Sequence, residues 1–518
     1  MSASREKKLR QELAASGTPD PKKVREAEEK AKQHRSNVLY GCIAAVFVLV
    51  AAFLLIWNSN VIQRSSTAVT IDGQKYSAAQ VDYFYHVAYN QLRNSQYASY
   101  MGLGDVVDLS NTNLNDMAKT FLGVEEDMTW DAYLKDSAIK NLTQITALNN
   151  AAKEAGFSFN DEMQADVNAT LDQIKETASS NGMSVGSYLK AAFGSNMTTA
   201  TLKDILKATT LASHYDENYR NSLTYDDDKL EDAYAADSKQ YDVVAYESIY
   251  FNGTAPSTTD ADGKSVAPTE EESAAAKAAA KEAADEALKR YENGESLESI
   301  AQSMDNANYS NQEAAAYSSS VVGDWAFDEA RQSGDHALLE SDPNCYLVVF
   351  HDRGRNEYNT VDARHILFLT DTSKLDSNSE SYDKELALVK DAAKAKAEDA
   401  LQQWKDGEAT EESFAALAEE LSEDGGSKSN GGLYQEIYHN QMVQTFNDWI
   451  FDESRQVGDT GIVETNYGYH VMYFSGENIP YWKVQVRNSL RNTDYNAWLE
   501  ALTADLTATE GSGMKYVG

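Results

Sequence analysis

A twelve-residue string occurs twice in this chain: Asp324-Trp-Ala-Phe-Asp-Glu-Ala-Arg-Gln-Ser-Gly-Asp returns 124 residues later as Asp448-Trp-Ile-Phe-Asp-Glu-Ser-Arg-Gln-Val-Gly-Asp. Similarity at a fixed offset marks a duplicated structural unit, and the surroundings agree. Leu347-Val-Val-Phe corresponds to Val471-Met-Tyr-Phe, and upstream Glu247-Ser-Ile-Tyr-Phe corresponds to Arg364-His-Ile-Leu-Phe. In each copy an apolar strand leads through a long Ala/Lys/Glu-rich helix (271–293; 382–406) into a shorter one (296–304; 412–421). The pattern predicts two consecutive domains of one α+β fold, at 241–355 and 357–477.

The copies differ where chemistry would sit. Ser248 and Tyr346 stand where the second copy has His365 and His470, and Ser303-Met-Asp-Asn-Ala-Asn-Tyr replaces the Gly-rich segments of the second copy. The first copy also lacks a clear Met/Phe pair. It is expected to be catalytically silent.

The second copy carries Ala-Arg-His-Ile-Leu-Phe at 363–368, Ser-Glu-Asp-Gly-Gly-Ser at 422–427, Gly-Gly-Leu at 431–433, Gln-Met at 441–442, Phe446 and Gly-Tyr-His at 468–470. This order and spacing resembles the parvulin (PpiC-type) peptidyl-prolyl cis/trans isomerases. The resemblance implies that Leu433, Met442 and Phe446 line a slot for a proline ring, and that His365 and His470 face each other on central strands in a network with Thr465. It places Asp424 where the family carries Cys or Asp, in an electrostatic role. Tyr467, beside the slot, occupies a position often taken by a small or polar residue, and Val443 and Tyr434 also depart from the commoner choices. Such an isomerase needs no metal and no cofactor, because it favours a twisted amide without making a covalent bond. A lone strand histidine is more often a satisfied core residue than a functional one; here two occur with the Gly-Gly-Leu and Met-x-x-x-Phe segments in family order. No basic cluster adjoins the slot, so no preference for phosphorylated Ser/Thr-Pro is expected.

Location is read from the N-terminus. No charged residue occurs from Ser36 to Gln63, and Val38–Trp57 is almost wholly apolar, long enough to cross a hydrocarbon core of roughly 30 Å. Ten Lys/Arg precede the run, which by the positive-inside rule makes 1–36 a cytoplasmic tail, 37–58 a single-pass anchor and the rest extracytoplasmic. A cleaved signal peptide is the alternative, but no small-x-small site closes the run. A lipobox reading of Leu39-Tyr-Gly-Cys42 fails because the cysteine precedes the apolar run. Net charge is −37, and without the tail's ten basic and six acidic residues the exported part carries roughly −41. That balance argues against nucleic acid or anionic lipid as a ligand for that part. Only Cys345 lies beyond the membrane, so no intrachain disulfide can form there.

Residues 66–240 open with a short hairpin, Ala68-Val-Thr-Ile-Asp-Gly-Gln-Lys-Tyr, and continue at helical period through 81–92, 130–155, 160–177 and 184–216. A helical domain entered through such a hairpin resembles the chaperone region of SurA- and PrsA-type foldases. That likeness implies that a C-terminal helix, 480–510, folds back to complete it.

The expected architecture is an α+β multidomain chain: an N-terminal transmembrane helix, a helical chaperone-like domain and two tandem parvulin-like domains with small antiparallel sheets. The expected function is isomerisation of X-Pro bonds and chaperoning of unfolded or nascent secreted polypeptides at the cell envelope of a Gram-positive-type bacterium, with homodimerisation left open. A catalytically silent holdase or envelope scaffold built on parvulin folds is the rival.

Overall fold

The computed structural model describes residues 7–8, 30, 43–50, 60–104, 108–261, 263–373 and 375–518. Most of the basic tail and of the expected anchor at 37–58 lies outside these residues; 43–50 are helical and exposed. Among the described residues no helix is long and apolar enough to cross a membrane. The chain divides into two units, one of Met1–Ser222 with Tyr495–Gly518 and one of Leu223–Asp494.

In the first unit, β1 (Thr67–Ile71) and β2 (Gln74–Ser77) form the hairpin. Ser77 and Gln80 make a reciprocal capping box that starts α1 (Ala78–Arg93). Then come α2 (Trp130–Glu154), α3 (Asp161–Ser180), α4 (Val185–Phe193) and α5 (Thr199–Ser222). One continuous core joins Val69 and Ile71 of the hairpin to Val81, Phe84, Leu134, Leu142, Leu189 and Leu202. Helices α4 and α5 break at Gly194, whose φ is +93°; a Cβ there would stand 2.2 Å from an Asp82 carboxylate oxygen, so only glycine fits.

In the second unit, α6 (Asp227–Ala236) precedes β3 (Asp242–Phe251), α7 (Glu270–Glu292), α8 (Leu297–Ser303), β4 (Ala307–Ala316), α9 (Val321–Ala326), β5 (His336–Ser341) and β6 (Asn344–Arg355). The pattern then repeats as β7 (Asn359–Leu369), α10 (Tyr382–Asp406), α11 (Glu411–Leu421), β8 (Leu433–Ile437), α12 (Gln444–Ile450), β9 (Thr460–Glu464) and β10 (Gly468–Pro480). The two antiparallel sheets have the same strand order, β4-β3-β6-β5 and β8-β7-β10-β9. Small antiparallel sheets with helices are the expected α+β architecture.

The repeated string has a structural cause. In the first copy the Arg331 guanidinium lies over Trp325 at 4.8 Å and approaches Asp328 (3.5 Å) and Asp335 (3.8 Å); in the second, Arg455 lies over Trp449 at 4.1 Å and approaches Asp452 (3.7 Å) and Asp459 (3.9 Å). The following loop is pinned alike in both, by Gly334 N–H to Phe350 O (2.9 Å) and by Gly458 N–H to Phe474 O (2.9 Å). The string therefore holds the connection from the short helix to the sheet. It is present whether or not the histidines are.

The C-terminal segment departs from expectation in its division. The last helix, α13, spans Tyr481–Ala504, and its first half belongs to the second unit. There Trp482 and Val486 bury against Leu230 and Tyr241, with the Arg355 guanidinium 3.8 Å from the centre of the indole ring. Helix α6 belongs to that unit too, so the boundary falls near 222 and not at 240. From Tyr495 onward the chain is part of the first unit: Tyr495 hydrogen-bonds Asp216, Trp498 stacks on Tyr219 at 3.6 Å, and β11 (Ala508–Glu510) adds a third strand beside β1. Residues 508–510 are thus strand where helix was expected.

Candidate active site

Strand alternation decides which side chains can meet. Along β7, Val361 and Ala363 bury on one face, and Ile366 and Phe368 on the other, against α10 and α11. His365 shares the face of Val361 and Ala363. Along β10, Met472 and Phe474 bury on that same face and Val471 and Tyr473 on the helix face, so His470 joins His365. Since β7 and β10 are the two central strands and pair directly, both imidazoles sit mid-sheet, 3% and 5% exposed.

Their hydrogen bonds form a line. His365 Nδ1 is 2.9 Å from His470 Nδ1; His365 Nε2 is 3.0 Å from Asp424 Oδ2; His470 Nε2 is 2.8 Å from Thr465 Oγ1. The tautomers follow from these contacts. An ionised carboxylate only accepts, so Asp424 takes the Nε2–H of His365. Neutral His365 then has a bare Nδ1, which accepts the Nδ1–H of His470. The bare Nε2 of His470 accepts the Thr465 hydroxyl, whose oxygen is held by the Tyr467 backbone N–H at 3.1 Å.

Electrostatics support neutral imidazoles. Burial pushes His365 below the ordinary histidine range, and Asp424 restores only part of it. Burial, then the neighbouring His365, push His470 down to about 3, against a weaker upward pull from Asp424. For Asp424 partial burial pushes the carboxyl up, but hydrogen bonds from Ser427, His365 and the Gly426 N–H outweigh it and hold the group at about 2. One oxygen, Oδ2, accepts from Ser427 Oγ (2.6 Å), Ser427 N–H (3.0 Å), Tyr434 OH (3.1 Å) and His365.

The loop that delivers Asp424 is built from its own short side chains. Ser422, 1% exposed, accepts from the N–H groups of Leu367 and Asp424 at 3.2 Å each, fastening the end of α11 to β7. Asp424 then closes a turn onto Ser427. At Gly432, with φ +72°, the carbonyl accepts from His365 N–H at 2.9 Å; a Cβ there would stand 2.2 Å from His365 O. Glycine is required for β8 to come alongside β7.

Phe446, 3% exposed, stands edge-on to both imidazoles, with ring centres 5.6 Å away, and Met442 packs against the same apolar cluster. Leu433 does not join them. It pairs with Arg364 in register while Tyr434 pairs with Ala363, so the pleat turns Leu433 to the helix face and Tyr434 to the histidines. Tyr434 touches His365 at 5.4 Å between ring centres and packs against the Phe446 cluster. The slot position expected of Leu433 thus belongs to Tyr434. Tyr467 is 60% exposed at the turn before β10.

Ser427, absent from the expected site, is a full member of it. Its signal was the Asp-x-x-Ser spacing, in which an Asp side chain accepts from the N–H and hydroxyl three residues on. A cleft of about 590 Å³ adjoins this cluster at Thr465 and extends between Val443, Thr445 and Lys390.

In the first copy Ser248 pairs with Val348, and Tyr250 with Tyr346. The sheet keeps its register, but the relay is gone: two tyrosine rings, 5.2 Å apart, and a buried serine occupy the corresponding strands.

Residues 347–477 match the profile of the PPIC-type PPIASE domain. The match begins within β6, ahead of the boundary expected at 357. A curated relative, the foldase protein PrsA of Caldanaerobacter subterraneus subsp. tengcongensis, is 38% identical over 131 residues, covering 25% of this chain and 33% of the relative. The chain thus spans about one third of the length of that relative. Among solved structures, PrsA from Bacillus subtilis aligns with a TM-score of 0.28 and 15% identity, over 73% of this chain and 89% of that one. A chain from the work on the SurA-like chaperones PEB4 and Cj1289 of Campylobacter jejuni aligns with a TM-score of 0.16 and 14% identity, over 85% and 96%. The buried imidazole pair with its flanking Asp424, Phe446 and Met442 accordingly lies within a PPIC-type PPIase domain similar to that of the foldase PrsA.

Proposed function

We propose that residues 357–477 catalyse cis/trans isomerisation of X-Pro bonds, and that the chain is an anchored extracytoplasmic foldase for unfolded or nascent secreted polypeptides. The observation that carries the reading is the line Thr465–His470–His365–Asp424 lying under Phe446, Met442 and Tyr434. The planar amide is the more polar of the two states along the rotation, since resonance places negative charge on oxygen and positive charge on nitrogen. A dry apolar wall therefore favours the twisted state. A neutral, fully satisfied relay behind that wall keeps the imidazoles fixed without drawing water in.

His365, His470, Thr465 and Asp424 serve in this reading as the fixed floor, and Met442, Phe446 and Tyr434 as the walls around the proline ring; Tyr467 stands at the rim. The first copy, without the relay, serves as spacer or binding surface. The acidic exported part and the apolar segment at 37–58 support an anchored, extracytoplasmic setting.

One observation favours a silent holdase instead: Tyr434 presents a large ring on the slot face. Exchange NMR on a short Ala-X-Pro peptide with the full chain separates the two readings. Enhanced cis/trans exchange that falls in Met442→Ala supports the isomerase; no enhancement, with client aggregation still suppressed, supports the holdase.

A further inference from the structure

Four large apolar side chains lie together on the outside of the first unit, between α1 and α2. Tyr97, Tyr100, Met117 and Phe121 are 43%, 69%, 55% and 52% exposed. Tyr97, Met117 and Phe121 adjoin one another, and the Tyr100 backbone is fastened to the same helix start. Tyr97 and Phe121 lie 5.0 Å apart between ring centres, Met117 is one turn before Phe121 on the helix Asp116–Leu122, and Asn115 Nδ2 donates to Tyr100 O at 3.2 Å, tying that loop to the helix.

These residues are not a surplus left over from packing. The same segment has a core of its own, Met101, Leu103, Leu114, Ala118 and Trp130. The short helix turns Ala118 inward and Met117 and Phe121 outward. Contiguous exposed apolar area of this kind marks interaction surfaces.

The rim says what fits. From Asn94 to Thr129 the sequence has six acidic residues and one basic residue, Lys119. Lys119 is paired with Asp127, while Asp116, Glu125 and Glu126 are exposed. A second copy would bring like charges together around the contact, and an anionic lipid surface would be repelled; a basic, apolar ligand is attracted.

We propose that Tyr97, Tyr100, Met117 and Phe121 form a docking surface for unfolded polypeptide segments in which aromatic or aliphatic residues are flanked by lysine or arginine. This rests on the foldase reading and gives it a recognition rule: the surface selects segments by apolar content and positive charge, without regard to proline.

The test uses the full chain in zwitterionic nanodiscs and three labelled fifteen-residue probes: Leu/Phe with Lys, Leu/Phe with Glu, and Ser with Lys. Binding is read by fluorescence anisotropy for wild type and for Y97S/M117S/F121S, with exchange of a short Ala-X-Pro peptide measured on both. The Leu/Phe–Lys probe is expected to bind at least tenfold more tightly than either other probe and to lose at least tenfold in the variant, while peptide exchange is unchanged. Equal binding by wild type and variant overturns the proposal. So does equal binding of the Ser–Lys probe, which means simple ionic attraction, or a wild-type dimer that the variant dissociates in sedimentation, which means a second copy covers the patch. Probe binding that follows the variant in a chain with no isomerase activity leaves the docking surface standing and removes only the isomerase.

Discussion

Tyr434 donates its hydroxyl to Asp424 Oδ2 at 3.1 Å, while its neighbour Leu433, one residue earlier on the same strand, points through the sheet to the opposite face. The relationship reverses the roles that the Gly-Gly-Leu string suggests. It also yields a pair of substitutions with different signatures in activity.

Leu433→Ala removes a half-buried side chain on the helix face. It is expected to lower stability by about 1–2 kcal/mol and to leave kcat/KM on an X-Pro peptide unchanged. Tyr434→Phe keeps the ring and deletes one hydrogen bond, on the order of 1 kcal/mol. It is expected to change kcat/KM severalfold, where Leu433→Ala leaves it unchanged, at a stability cost of about 1 kcal/mol. Urea unfolding and peptide exchange on the two variants check both halves.

Acid should weaken this domain before it acts on the chemistry. His470 has a folded-state value near 3, below the unfolded value of about 6.5. A depressed histidine binds fewer protons when folded, so its contribution is intact above about pH 6.5 and is lost as pH falls from there toward 3. At pH 5 the loss from His470 is about 2 kcal/mol relative to pH 7. Asp424, also depressed, keeps its contribution down to about pH 4 and loses it as pH falls through about 2. Stability measured by urea unfolding from pH 8 to pH 4.5 should decline below pH 6.5, and the decline should be shallower in His470→Asn.

The duplicated string should behave as a fold element in both copies. Arg331→Ala and Arg455→Ala each remove an aromatic contact and two partly exposed carboxylate partners. Each is expected to destabilise by about 1–2 kcal/mol. Comparable losses in the two variants, read by thermal unfolding, are the expected outcome. A loss confined to Arg455→Ala would tie the string to the site instead of the fold.

Much of this was legible in the sequence because it depends on period and order. The offset of 124 residues between the two Trp/Arg/Asp strings gives two α+β domains, and the order of the Ala-Arg-His and Gly-Tyr-His segments, through the parvulin resemblance, implies that His365 and His470 face each other. What escaped depends on a count of one. A single-residue shift in the register of β8 exchanges Leu433 for Tyr434, and no composition signal fixes that register. Ser427 escaped because its role is a local turn and not an apolar pattern. The division of α13 at Tyr495 escaped because no Gly or Pro interrupts the helix there, and only the partners of its aromatic residues, Leu230 and Tyr241 against Tyr219 and Asp216, distinguish the halves.

The most direct measurement is protease-free prolyl isomerisation by the full chain beside two variants, Asp424→Ala in the second copy and Tyr346→Ala in the first, each confirmed folded by its unfolding transition. Wild type and Tyr346→Ala are expected to accelerate isomerisation equally, and Asp424→Ala to lose at least tenfold in kcat/KM. Activity that survives Asp424→Ala and falls in Tyr346→Ala, or a wild-type chain that accelerates nothing, contradicts the assignment of the isomerase to residues 357–477.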